Sequence, residues 1–130
     1  MDFIEHTSEG ENIVEISSDQ VVMETEQDAL DIMANAGYLH NSRKIIVHEQ
    51  NLGKDFFDLS SGLAGGILQK FSNYRVQLVV VGTFTRVESK RLQEFILESN
   101  KGRQVNFVKD IAEAKKNDRL QGEFFHCLGI

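Results

Sequence analysis

His48 and Glu49 are side chains that can move a proton or hold a ligand, and they stand side by side at the end of a short apolar run, Lys44 to His48. That run is rich in β-branched residues and is expected to be a buried strand. Open α/β sheets place their ligand crevices beyond the carboxyl ends of such strands. A crevice lined by His48, Glu49 and Asn51, with His48 as general base or metal ligand, is one chemistry this allows. Consecutive strand residues face opposite sides, so His48 and Glu49 share a pocket only where the strand has already bent. Spacing gives no metal pattern: no second histidine follows four residues on, and His6, His40 and His126 stand at no ligand spacing to His48. The alternative is that both side chains hold the following loop through hydrogen bonds. Cys127 beside His126 does not read as a catalytic pair, because such partners meet in space rather than in sequence. No catalytic residue, metal or cofactor is therefore assigned.

The second candidate is the stretch Phe56-Phe57-Asp58-Leu59-Ser60-Ser61-Gly62-Leu63-Ala64-Gly65-Gly66. Ser60 is expected to open a helix, where Ser60 and Ser61 hydroxyls would cap free backbone N–H groups. A helix start also tolerates a phosphate, drawn by those N–H groups and the positive end of the dipole. The stretch is not a nucleotide loop, since no Gly-Lys-Ser/Thr follows and no GxGxxG stands between a strand and a helix. The plain alternative is a well-capped helix packed closely on its neighbours.

These residues carry a resemblance. Ser60-Ser61-Gly62-Leu63, after a strand and a loop, resembles the sulphate transporter and anti-sigma factor antagonist (STAS) domain. The resemblance implies that fold over about residues 12–116, and a first serine, here Ser60, that a partner kinase phosphorylates to switch protein binding. The sequence departs from those switch proteins in having Leu59 before the serine where they have aspartate; Asp58 lies one residue earlier. A longer resemblance covers nearly the same span. His48-Glu49-Gln50-Asn51-Leu52, Asp55-Phe56-Phe57-Asp58-Leu59, Gly62-Leu63-Ala64-Gly65, Ile67 to Arg75 and Glu98 to Gln104 are similar to a bacterial domain-of-unknown-function family, number 4180. It implies no activity, but it groups His48, Glu49, Asn51, Asp58, Asn73, Arg75, Asn100 and Arg103 as the polar residues that belong together.

The elements that must position these side chains follow from periodicity. Strands are expected at Asn12–Ser17, Val21–Met23, Lys44–His48, Val76–Val81 and Gln104–Val108, the first two antiparallel. Helices are expected at about 26–36, from Ser60 through Phe71, at about 88–99 and from Asp110 to about Lys116. The first is capped by Thr25 with Asp28 and stopped by Gly37. In the third, Leu92, Phe95, Ile96 and Leu97 are expected inward. The order β-β-α-β-α-β-α-β-α implies a single α/β domain with a mostly parallel sheet and helices packed on it, which matches the STAS-like fold that the resemblance implies. The 117–130 tail, with Phe124, Phe125, Leu128 and Ile130, fits no element and is expected to cover a sheet edge or an interface.

His48 and Arg103 fall at opposite ends of such a sheet, which predicts two polar clusters rather than one. Asn73, Arg75, Asn100 and Arg103 are expected to form a structural polar network, with the arginines paired to carboxylates at loop ends.

Composition bounds the function. The 130 residues favour one domain, and 41% hydrophobic with 26% charged residues is ordinary for a globular protein. No apolar run reaches the roughly 20 residues that span a bilayer, no secretory leader opens the chain, and a single cysteine allows no intrachain disulfide; a cytoplasmic, membrane-free protein is expected. A net charge of −6, with ten acids and no Lys or Arg in residues 1–42, argues against nucleic acid. Two functional readings follow. One is a non-enzymatic regulatory or protein-interaction module, its surface formed by Gln50 to Asp58 with Ser60, Ser61 and Gly62, its partner another protein or a second copy of the chain. The other is a small-molecule binder or enzyme working at His48, Glu49 and Asn51.

Overall fold

A computed structural model of the chain describes residues 1–84 and 89–115. Its centre is a five-stranded sheet in the order β1-β2-β3-β4-β5. Strand β1 (Asp2–Ser8) pairs antiparallel with β2 (Glu11–Ser17), and β3 (Lys44–His48), β4 (Gln77–Val81) and β5 (Val105–Val108) continue from β2 in parallel. The chain is thus of the mixed α/β class. The sequence reading put the antiparallel partner of β2 at Val21–Met23, and here the structure corrects it. The partner lies upstream, joined to β2 through Glu9 and Gly10, whose φ angles of 53° and 81° make the tight turn that matches strand twist. Residues 21–23 run as a loop, with a lone parallel bridge from Met23 to Leu52.

Residue parity sorts the sheet into two faces. Val14, Ile16, Ile45, Val47, Leu78, Val80, Val105 and Phe107 face one way into the larger core. Helices α1 (Glu26–His40), α3 (Leu63–Asn73) and α4 (Lys90–Asn100) cover it with Ala29, Ile32, Met33, Ala36, Ala64, Ile67, Phe71, Phe95 and Ile96. The opposite face carries Ile13, Ile46, Val79, Val81 and Val108, against which α5 (Ile111–Lys115) sets Ala114. One-residue alternation explains why β3 and β4 read as unbroken apolar runs: both of their faces are covered.

Helix boundaries follow local chemistry. Thr25 and Asp28 form the expected capping box on α1. The helix does not stop at Gly37 but runs to His40, ending at Asn41 in the left-handed region with φ 50°; Gly37 stands on the open side, where nothing presses on it. The expected loop 50–59 holds a short helix, α2 (Lys54–Phe57), which buries Phe56. The expected helix from Ser60 starts later, at Leu63. Gly62 adopts φ 76°, a left-handed conformation that separates α3 from a 3-10 turn over Leu59–Ser61. In α4, Leu92 is buried and Phe95 and Ile96 pack on the core, but Leu97 is 65% exposed. Five residues past Leu92 is well off its face of a 3.6-residue helix. Asp110 caps α5 by accepting from the Glu113 N–H at 2.7 Å. The tail expected at 117–130 lies outside the described residues.

Candidate functional site

The side chains of His6, Glu15 and His48 converge. Glu15 is the one charged residue within the apolar run of β2, and parity turns it to the same face as Ile13. The antiparallel register sets His6 opposite Ile13, diagonal to Glu15, and His48 ends the neighbouring β3 on the same face. One Glu15 carboxylate oxygen meets His6 Nε2 at 2.8 Å and the other meets His48 Nε2 at 2.7 Å. The Glu15 side chain is 14% exposed. Burial would raise its pKa, but the hydrogen bonds from His48 and His6, with their charge, outweigh it and hold the carboxyl below its usual range. The trio ties three strands together on the face that also carries Ile13 and Ile46. Each imidazole spends Nε2 on a different oxygen, so the rings do not aim at a common point. Among the described residues no group of three or more His, Cys, Asp or Glu is arranged to hold a metal ion.

The other residues expected at the crevice bond elsewhere than to the His48 ring. Asn51 lies fully buried in a 3-10 turn, Glu49–Asn51. Its Oδ1 accepts from the His48 N–H at 3.0 Å, and its Nδ2 donates to Ser18 O and Gln20 O, each at 2.9 Å. Its own carbonyl accepts from the N–H groups of Val22 and Met23. Asn51 thereby pins the β2–α1 connection to the end of β3. Glu49 reaches instead across the sheet end, where Oε1 accepts from the Phe84 N–H at 3.3 Å. It passes so near Gly82 that a Cβ there would stand 2.7 Å from Glu49 Cβ. His48, Glu49 and Asn51 thus serve three different partners.

The Asp58–Gly62 turn is exposed apart from the half-buried Leu59. Asp58 Oδ1 accepts twice from Ser60, from its N–H at 3.1 Å and its hydroxyl at 2.6 Å. Ser61 Oγ donates toward Asp55 O and Asp58 O and accepts from the Leu63 N–H at 3.2 Å. Ser61 leads into α3, while Ser60 sits before the left-handed Gly62 and off the first turn of the helix.

Asn73, Arg75, Asn100 and Arg103 do not meet as one network. Asn73 accepts from Gln69 one turn back on α3. Asn100 clamps the end of α4 to β5, accepting from the Phe107 N–H at 2.7 Å and donating to its carbonyl at 3.1 Å. Arg75 and Arg103 lie at the other end of the sheet from His48, lining a cleft of about 710 Å³ with Arg43, Lys44 and Glu11. Among the described residues neither arginine is paired to a carboxylate.

Sequence reasoning missed Glu15 and His6. The available signal was an acid interrupting a strand of period two, which needs a partner when its face is covered; the partner's strand, β1, was unseen.

The chain belongs to the family described as Domain of unknown function (DUF4180), which matches residues 8–118. No curated protein and no solved structure matches it.

Proposed function

We propose that this chain is a non-enzymatic, STAS-like regulatory or protein-interaction module whose contact surface is the Asp58–Gly62 turn with the loop before it, switched by phosphate on Ser60. The hydrogen bond from Ser60 Oγ to Asp58 at 2.6 Å carries the reading, because it sets the hydroxyl that would take the phosphate directly against a carboxylate in an exposed turn. Phosphorylation removes that donor and sets about −1.5 to −2 charges against the Asp58 carboxylate. The sequence placed Ser60 where the α3 dipole would welcome the charge. With α3 starting at Leu63, the nearer influence is Asp58, and the turn opens by repulsion instead. An opened turn no longer presents Ser61, Gly62 and the start of α3 in one arrangement, and a partner fitted to that arrangement is released.

The test is capture of the partner from the native host with tagged protein, followed by titration calorimetry against three forms of the chain. Wild type and Ser60→Ala are expected to bind alike, and Ser60→Glu to bind more weakly. Equal binding by Ser60→Ala and Ser60→Glu overturns the switch.

A further inference from the structure

We propose that the cleft at the amino-terminal end of the parallel strands binds a phosphorylated, hydroxyl-rich small molecule through Arg43, Arg75 and Arg103. The inference goes beyond the Ser60 reading and shares no residue with it.

Register brings the three arginines together. Lys44 stands beside Gln77 and Leu78 beside Val105, so Arg43, Arg75 and Arg103 each come within two residues of the start of three adjacent strands. Neighbouring strands lie about 4.8 Å apart, and like charges placed side by side on them repel. None of the three guanidinium groups has a hydrogen bond or ion pair among the described residues, and Glu11 is the one acid among the described residues that line the cleft. The neighbouring amides have partners of their own: Asn12 donates to His40 O, Gln104 to Val76 O and Gln77 to Asn106. In a chain of net charge −6, this end of the sheet holds a local cationic cluster.

Arg75 adds an independent observation. It follows α3 at the position where the chain turns left-handed, with φ 57°. Its N–H donates to Ser72 O and the Val76 N–H donates to Phe71 O, the hydrogen-bond pair of a helix stop that glycine ordinarily occupies. A long side chain held where glycine is the cheaper residue points to use of that side chain at the cleft it lines.

The lining chooses the ligand class. One planar guanidinium fork satisfies a carboxylate, whereas three forks from three strands suit the several oxygens of a phosphate. A volume of about 710 Å³ is room for a whole metabolite rather than a bare ion. The described lining has no aromatic ring on which a nucleobase would stack, and its amides and cations suit hydroxyl groups.

Calorimetric titration of the full chain at low ionic strength with glucose 6-phosphate, inorganic pyrophosphate and glucose tests this. Both phosphate compounds are expected to bind and glucose not to. Arg75→Gly, which suits the left-handed backbone, and Arg103→Gln are each expected to weaken binding about tenfold or more. Arg91→Gln, the same loss of charge on α4 away from the cleft, is expected to leave binding unchanged. No binding of either phosphate compound at millimolar concentration overturns the proposal, as does equal weakening by Arg91→Gln. Arginine-dependent binding to phosphatidylglycerol vesicles, with none to glucose 6-phosphate, also overturns it in favour of a membrane headgroup.

Discussion

Replacing Asn51 tests the tertiary reasoning most directly. The side chain is fully buried and spends both donors and its oxygen on three backbone groups: the His48 N–H, Ser18 O and Gln20 O, at 2.9 to 3.0 Å. In Asn51→Ala each lost bond costs about 1 kcal/mol net, and the half-buried His48 N–H left without a partner adds about 1–2 kcal/mol. The expected loss is about 4–5 kcal/mol, a large part of the 5–15 kcal/mol typical of a domain. Asn51→Asp keeps the acceptor for His48 but turns a buried carboxylate oxygen toward two carbonyls, so it is expected to be worse than alanine near neutral pH. Burial and the facing carbonyls raise that aspartate's pKa, so its penalty is present above the raised value and relieved as pH falls and the protonated acid regains one donor. Urea unfolding followed by far-ultraviolet circular dichroism at several pH values reads both, with an unchanged m-value as the check that the same transition is compared. A loss below about 1 kcal/mol for Asn51→Ala would refute the claim that this amide pins the β2–α1 connection.

The Glu15 clamp predicts acid sensitivity. A carboxyl held below its usual pKa in the folded state stabilises the fold above the unfolded-state value, and that contribution is lost as pH falls below about 5. Glu15→Ala is expected to cost about 2–3 kcal/mol at pH 7 and to flatten the acid limb of the stability profile; an unchanged limb would remove Glu15 from the account. Gly82→Ala is expected to cost about 1–3 kcal/mol, because Glu49 Cβ is fixed to its backbone and cannot swing aside. Since Glu49→Ala keeps that Cβ, it should restore little in the double variant, and full recovery in thermal unfolding would contradict the contact.

The elements themselves were legible where one local signal dominated. The apolar β-branched runs at β3 and β4, the capping box at Thr25 and the Asp110 cap each depend on neighbours within a few residues, and each stands where the sequence placed it. Boundaries failed where a single backbone angle decided. Gly62 turns left-handed and delays α3, whereas Gly37 has open space around it and lets α1 continue. Strand β1 was hidden because, as an edge strand with one partner, it mixes Phe3 and His6 with exposed acids rather than alternating cleanly.

The candidate sites divide in the same way. By itself the sequence determined which side chains carry charge, that His48 ends a strand, and that His48 and Arg103 belong to opposite ends of a sheet. Only the tertiary structure decided what each one meets. It put His6 and His48 on the two oxygens of Glu15, gave Asn51 to the backbone, and left three arginines facing one cleft without carboxylate partners among the described residues. The physical reason is range. Caps and strand runs are fixed by contacts a few residues long, but a cross-strand pair depends on register between segments far apart in the chain, and a one-residue slip turns every side chain to the other face.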